Sequence, residues 1–127
     1  MTVCLDSWAV LRWLEGAEPA ASQVDDVLPH RPVMSWINVG EVYYIVARAT
    51  GTREARRVVA ELRRRVRLDL PTEDRVLAAA AIKASHLLAY ADAFALATAA
   101  AHDAVLWTGD PEILEGDPGW STLDLRP

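Results

Sequence analysis

The sequence contains a single cysteine, a single lysine and no apolar run that approaches the length of a membrane span. Cys4 cannot form a disulfide within the chain, and its place in the first predicted strand favours a buried, unreactive thiol. Asp6 and Arg12 interrupt the first apolar residues, so we expect neither a signal peptide nor a transmembrane helix. These absences predict a soluble, cytoplasmic protein without membrane contact.

Several common catalytic designs are also missing. The chain has no glycine-rich phosphate loop and no cysteine pair. Its histidines are poor candidates for catalysis, because His30 lies between prolines while His86 and His102 lie near predicted helix ends, where they complement the helix dipole. The sequence therefore offers no candidate Ser-His-Asp catalytic triad.

The charge of the chain is acidic overall but unevenly distributed. A net charge of −5 argues against broad, nonspecific binding of nucleic acid. Seven of the thirteen basic residues nevertheless lie between Arg53 and Arg67, and all seven are arginine. This arginine cluster is either a solvated helix face or a surface that contacts phosphates or a partner protein, since arginine suits both.

Hydrophobic periodicity and turn residues predict an alternation of strands and helices. The predicted strands are Thr2–Leu5, Val33–Met34, Val66–Leu70, Val105–Trp107 and Thr122–Leu125. The predicted helices are Trp8–Glu15, Pro19–Leu28, a segment from Ser35 that ends at Gly51, a segment capped by Thr52, Glu73–Ser85, a segment that begins at Tyr90, and Pro111–Leu114. Helices between strands require crossover connections, which predicts a parallel sheet covered on both faces. At 127 residues the chain is expected to form one domain.

The stretch from Tyr90 to Asp110 is the centre of this arrangement. Its helix carries seven alanines, interrupted by Phe94 and Leu96, and is expected to be buried. A short apolar strand follows and leads directly into Asp110. Asp92 stands at the start of the helix, so two carboxylates are placed at the ends of core elements.

Four acids are candidates for a functional site. Ligands of open parallel sheets bind beyond the carboxyl ends of the strands; Asp6 and Asp110 follow strands directly, and Glu41 follows one by a helical turn. Topology alone does not place Asp92 at this edge. Each acid also has a structural interpretation, since Asp6, Asp92 and Asp110 could cap helices and Glu41 could complement a helix dipole.

Taken together, the four acids are better explained by a metal site. Two unit charges ~4 Å apart repel by roughly 4 kcal/mol at an effective dielectric near 20, and the motifs contain no lysine or arginine to neutralise them. Oxygen ligands without histidine or cysteine favour Mg²⁺ or Mn²⁺ over Zn²⁺. Such an ion polarises a phosphoryl oxygen and activates water, which indicates hydrolysis of a phosphodiester. The hydroxyls of Ser7 and Thr108 could hold a water there, although hydrogen bonds to the local backbone are the simpler role.

The sequence resembles the PIN-domain family, specifically the small VapC-type toxins of bacterial toxin–antitoxin pairs. The resemblance covers most of the chain and rests on CLDSWAVLRWL, NVGEVYY and YADAFALATAAAHDAVLWTGDPEIL. It implies a three-layer α/β/α sandwich with a mainly parallel five-stranded sheet, and it places the family's acidic residues at Asp6, Glu41, Asp92 and Asp110. Of these, Asp6, Asp92 and Asp110 are the expected metal ligands. The resemblance also implies an Mg²⁺- or Mn²⁺-dependent endoribonuclease, an RNA substrate, a homodimer and a cognate VapB-type antitoxin.

Other families fit less well. A haloacid-dehalogenase-type phosphatase needs a second aspartate two residues after Asp6, where the chain has Trp8. A receiver domain needs a lysine near a late strand end, whereas Lys83 lies within a predicted helix. The stronger alternative is a catalytically weak PIN-like module that binds RNA or protein.

Overall fold

The computed structural model describes residues 1–127 and contains five strands and seven α-helices. The strands are β1 (Val3–Leu5), β2 (Val33–Ser35), β3 (Arg67–Asp69), β4 (Val105–Thr108) and β5 (Thr122–Asp124). The helices are α1 (Ser7–Glu15), α2 (Ala20–Val27), α3 (Trp36–Thr50), α4 (Thr52–Arg65), α5 (Glu73–Ser85), α6 (Tyr90–Ala101) and α7 (Pro111–Leu114). Every element predicted from the sequence is present, with boundaries within a few residues. None of the helices is long and apolar enough to cross a lipid bilayer.

The five strands form one sheet in the order β3-β2-β1-β4-β5, and every neighbouring pair is parallel. The predicted parallel sheet is thus confirmed. Since β1 and β4 are adjacent and in register from Val3 opposite Val105 to Leu5 opposite Trp107, the residues that follow them emerge side by side. The carboxyl ends of β1 and β4 therefore define one edge of the sheet, where Asp6 and Asp110 lie.

Two hydrophobic clusters cover the sheet, one on each face. Successive side chains of a strand point to opposite faces, so Val3 and Leu5 pack with α1 to α4 in one cluster. Cys4 and Leu106 pack with α5, α6 and α7 in the other. The result is the predicted three-layer α/β/α sandwich.

The alanine-rich helix α6 lies against the sheet. All residues from Asp92 to Ala99 are buried, and the Cys4 thiol lies 4.0 Å from the carbonyl oxygen of Ala95. Burial raises the pKa of the Cys4 thiol above its usual range, and the negative charges of Asp6 and Asp69 raise it further. Cys4 is therefore a buried neutral thiol, as its position in the sequence indicated.

Helix boundaries follow local capping, with one correction. Gly16 ends α1 in the left-handed conformation with φ 69°, and Thr72 caps α5 through its hydroxyl. Thr52, predicted to cap the fourth helix, is instead the first residue of α4, and Gly51 occupies the capping position. The helices α3 and α4 are joined by Gly51 alone, whose φ of 101° favours glycine. Gly51 therefore ends α3 and also occupies the capping position of α4.

Candidate metal centre

Asp6 leaves β1 and begins α1. Its Oδ1 accepts a hydrogen bond of 2.8 Å from the backbone N–H of Ala9, so the predicted capping role is confirmed. The side chain is nevertheless buried. Burial raises the pKa of Asp6 to about 7; hydrogen bonds from Thr108 and Ala9 oppose the rise, and the charges of Asp110 and Glu41 add to it. Asp6 is therefore both a cap and a carboxyl group held among like charges.

Asp92 is not a helix cap. The helix α6 begins at Tyr90, its cap position is Ala89, and no side chain caps it. Asp92 is the third helical residue, and only 7% of it is exposed. Burial raises the pKa of Asp92 to about 7, and repulsion from Asp110, Asp6 and Glu41 contributes further. The capping interpretation is wrong for this residue. As an acid in the first turn of α6 it complements the helix dipole, but that role does not require burial beside other acids.

Asp110 and Glu112 complete a close group with Asp92. The Oδ1 atom of Asp110 accepts a hydrogen bond of 2.8 Å from the N–H of Glu112 and caps α7. One carboxylate oxygen from each of Asp92, Asp110 and Glu112 lies within 4.8 Å of the others. Glu112 was not among the predicted site residues, although its position two residues after Asp110 in TGDPE was the available signal. We call Asp6, Glu41, Asp92, Asp110 and Glu112 the acidic cluster.

Glu41 reaches the acidic cluster from α3. The hydroxyl of Ser7 donates a hydrogen bond to Oε1 of Glu41, which lies 34 residues away in sequence. Ser7 was expected to bond with the local backbone, and this expectation is wrong. For Thr108 the same expectation is confirmed, because its Oγ1 accepts a hydrogen bond of 3.0 Å from the N–H of Asp110. The hydroxyl of Thr108 also hydrogen-bonds to Asp6, so the two hydroxyls together contact three acids of the cluster.

A second contact joins α3 to the start of α6. The side-chain amide of Asn38 donates a hydrogen bond of 3.1 Å to the carbonyl oxygen of Ala91. Asn38 is fully buried, and Ala91 precedes Asp92 directly. This contact fixes the first turn of α6 against α3, which brings Asp92 to the edge of the sheet that topology alone could not assign.

Gly109 permits close packing between the two halves of the cluster. A Cβ atom at Gly109 would overlap the indole ring of Trp8 on α1. Trp8 therefore packs directly over the backbone between Thr108 and Asp110, and glycine is required for this approach rather than for a special φ. The loop that carries Asp110 is held against the helix that Asp6 caps.

No cation of the protein neutralises the acidic cluster. The structure contains eight ion pairs, and none includes a member of the cluster. Asp69 shows the contrast: burial would raise its pKa, but hydrogen bonds from Arg75 and His102 hold the pKa below its usual value. The carboxyls of Asp6 and Asp92 lack such partners, so their pKa values rise. Compensation of this charge must come from protons or from a bound cation.

The histidines lie outside the cluster. His102 hydrogen-bonds to Asp69 at 2.8 Å, and His86 hydrogen-bonds to the carbonyl oxygen of Ile82 at 3.0 Å. The donor set at the edge of the sheet therefore consists of oxygen atoms, which suits Mg²⁺ or Mn²⁺ better than Zn²⁺.

The fold has counterparts among solved structures, although no curated protein matches the chain in sequence. A VapBC complex bound to DNA from Salmonella typhimurium is 16% identical with a TM-score of 0.79, over 99% of each chain. A toxin–antitoxin complex from Klebsiella pneumoniae is 19% identical with a TM-score of 0.77, over 98% of each chain. VapC20 from Mycobacterium tuberculosis, described as a sarcin-ricin loop cleaving toxin, is 17% identical with a TM-score of 0.77, over 99% of this chain and 100% of that one.

At these identities the similarity is one of fold. The PIN-domain family model, in contrast, matches the sequence itself over residues 3–117, which is most of its length. The chain therefore belongs to the PIN-domain family.

Proposed function

We propose that the chain is an Mg²⁺- or Mn²⁺-dependent endoribonuclease and the toxin of a VapBC-type pair, acting as one PIN-like domain over residues 1–127. The observation that carries this proposal is the acidic cluster, a group of partly buried carboxylates that no cation of the chain neutralises. Membership of the PIN-domain family supports a nuclease. RNA as the substrate is supported by the fold shared with a toxin that is described as cleaving the sarcin-ricin loop.

The residues present fit a divalent cation. Asp92, Asp110 and Glu112 offer three carboxylate oxygens within 4.8 Å of one another, and Asp6 lies close enough to raise the pKa of Asp92. We assign Asp6, Asp92 and Asp110 as the principal ligands and Glu112 as an additional one. A divalent ion bound there would polarise a phosphoryl oxygen and lower the pKa of water.

The remaining roles follow from the contacts of each side chain. Glu41 is held by the Ser7 hydroxyl, and we assign to it the acceptance of a proton from the attacking water. Thr108 holds the backbone of Asp110, which keeps the Asp110 carboxylate aimed at the cluster. In hydrolysis, water attacks the phosphorus, the bond from phosphorus to the leaving sugar oxygen breaks, and that oxygen takes up a proton from solvent to become a hydroxyl.

Purified protein is expected to cleave single-stranded or looped RNA, because exposed loops are accessible to such a site. Cleavage should require Mg²⁺ or Mn²⁺, stop in EDTA and return when excess Mg²⁺ is added. A labelled RNA that contains a stem and a loop, resolved on a denaturing gel, measures this. Cleavage at full rate in EDTA would exclude the metal mechanism. Binding of the RNA without cleavage in any metal would favour a catalytically weak PIN-like module.

We further propose that a VapB-type antitoxin inserts a basic side chain into the acidic cluster. An arginine fork matches carboxylate geometry, and it would supply the positive charge that the chain lacks. Several solved chains with the same fold are toxin–antitoxin complexes. A structure of the complex should show an arginine or lysine in contact with Asp92 or Asp110. An antitoxin that leaves all members of the cluster open to solvent would contradict this proposal.

The homodimer expected from the resemblance also remains a proposal. Exposed apolar side chains on and after α5 support it, since Leu77 is 62% exposed and Leu87 is 97% exposed. Light scattering of the purified protein should give about twice the mass of the 14.0 kDa chain. A mass of one chain at all concentrations would refute the dimer.

A further inference from the structure

The arginines of α4 divide into two groups by their ion pairing. Arg57 pairs with Glu54, and Arg64 and Arg65 pair with Glu61. Arg53, Arg56 and Arg63 form no ion pair, and all three are exposed. Positions 53, 56, 60 and 63 follow the spacing of one helix face. The arginine cluster of the sequence is therefore partly a neutralised surface and partly a stripe of free positive charge.

Two of the free arginines, Arg56 and Arg63, face α3 across a groove of about 530 Å³. The groove has Trp36, Gly40 and Tyr43 on the α3 side and Arg56, Ala60 and Arg63 on the α4 side, and none of its eight lining residues is acidic. We call it the arginine groove. In a chain of net charge −5, a groove whose only charges are positive is complementary to an anionic ligand.

The aromatic side chains of the groove indicate which anion it would bind. Arg63 lies over the ring of Trp36, with Cζ 5.3 Å from the ring centroid. Tyr43, two helical turns further along α3, lines the groove beside the α4 arginines. Arginine forks bind phosphates, and aromatic faces stack on nucleobases. A strand of RNA uses both features, whereas an acidic peptide would use only the charge.

Gly40 indicates that the groove is kept open for a ligand. It lies in the middle of α3, where glycine makes the helix less stable than alanine would. A Cβ atom built at Gly40 would meet no other atom within 4 Å, so packing within the chain does not require glycine there. A side chain at this position would project into the arginine groove.

The groove is adjacent to the acidic cluster through α3. Trp36 follows directly after β2, at the carboxyl edge of the sheet, and Glu41 follows Gly40 on the neighbouring face of the helix. The groove and the acidic cluster therefore lie on different faces of the same helix. We propose that the arginine groove binds the phosphates and bases of single-stranded RNA next to the cleavage site. This inference rests on the proposed function, because it names the substrate strand of that same site.

The test compares two double variants that change the net charge equally. Arg56→Ala with Arg63→Ala removes the free arginines of the groove, whereas Arg57→Ala with Arg64→Ala removes arginines that are already ion-paired. Affinity for a fluorescent single-stranded oligouridylate of about 12 nucleotides is measured by anisotropy in EDTA, so that binding is separated from cleavage. The groove variant should bind at least about tenfold more weakly, and its salt slope should fall by about 1.4, roughly 0.7 for each phosphate that an arginine no longer neutralises. The control should change by less than about twofold.

Two single-site tests separate stacking and space from charge. Tyr43→Ala should weaken binding by about tenfold, while Tyr43→Phe should bind like the wild type, because stacking needs the ring and not the hydroxyl. Gly40→Leu should raise the melting temperature, since leucine is the better helix former, and yet weaken RNA binding by filling the groove. Equal RNA affinity of Tyr43→Ala, Gly40→Leu and the wild type would overturn the proposal.

The remaining outcomes distinguish this inference from the proposed function. If the wild type cleaves RNA with Mg²⁺ but both double variants bind RNA equally, the groove proposal fails and the nuclease stands. If RNA binds through the groove but is not cleaved, the groove stands and the nuclease fails. Three further outcomes would overturn the proposal. The groove variant could keep its RNA affinity and lose only its affinity for an oligoglutamate peptide, or it could change only in oligomeric mass. The wild type could also bind no RNA.

Discussion

Replacing Asp92 with asparagine is expected to reduce RNA cleavage by about a hundredfold or more, the usual loss when one electrostatic group of a catalytic site is removed. In EDTA at pH 8 the same change should raise the melting temperature. Asp92 is buried among Asp6, Glu41 and Asp110, so its negative charge destabilises the folded protein when no cation is bound. Asparagine has a similar shape and carries no charge.

Melting curves in EDTA and across an Mg²⁺ titration measure this effect. The wild type should gain stability as Mg²⁺ binds the folded state only, by RT ln(1 + [L]/Kd), and Asp92→Asn should lose much of that gain. Asp74→Asn is the matched control, because Asp74 lies in the first turn of α5 and is exposed. Equal Mg²⁺-induced shifts in the wild type and Asp92→Asn, with cleavage intact, would remove Asp92 from the site.

The metal-free protein is expected to become less stable as the pH rises from about 4 to about 7. Folding raises the pKa of Asp6 and of Asp92 to about 7 from the ordinary value of 3.8. Between these values the folded state binds more protons than the unfolded state, so the free energy of unfolding falls with rising pH. The stabilisation that comes from protonated Asp6 and Asp92 is fully present below about pH 4 and is lost as the pH passes 7. A shift from 3.8 to about 7 corresponds to roughly 4 kcal/mol for one such group, so we expect a loss of at least this order.

Urea unfolding in EDTA at pH 5 and at pH 7.5 measures this difference. Arg75 and His102 hold the pKa of Asp69 low. Protonation of Asp69 therefore lowers the free energy of unfolding only near pH 4 and below, outside this comparison. Asp92→Asn should show a smaller dependence on pH, since one of the two raised groups is absent. With saturating Mg²⁺ the dependence should reverse, because the cation binds the deprotonated carboxylates. A metal-free stability that is constant or rises between these two pH values would contradict the assignment.

The fold could be predicted closely because its determinants are local. Asp6 and Gly16 delimit α1, Thr72 starts α5, and Pro111 starts α7, as their side chains and backbone preferences indicated. The prediction that Thr52 caps α4 was wrong, because the capping position there depends on how α3 and α4 meet. A single glycine connects α3 to α4, and the sequence does not reveal that so short a connection suffices.

The site was only partly predictable, because the position of some of its residues depends on tertiary contacts. Asp6 and Asp110 were placed by topology, since both follow parallel strands. The position of Asp92 depends on the hydrogen bond from Asn38 to the start of α6, which joins segments 53 residues apart. Glu112 resembled an ordinary first-turn acid. The division of the α4 arginines required knowledge of which face meets α3.

Binding of Mn²⁺ to the purified protein is the direct test of whether the acidic cluster is a divalent-cation site. The loss of the free Mn²⁺ signal in electron paramagnetic resonance gives the affinity for the wild type, Asp92→Asn and the control Asp74→Asn at pH 7.5. We predict saturable binding by the wild type and by Asp74→Asn, competition by Mg²⁺, and an affinity at least about tenfold lower for Asp92→Asn. Equal affinity of all three proteins, or no saturable binding by the wild type, would contradict this account of the acidic cluster.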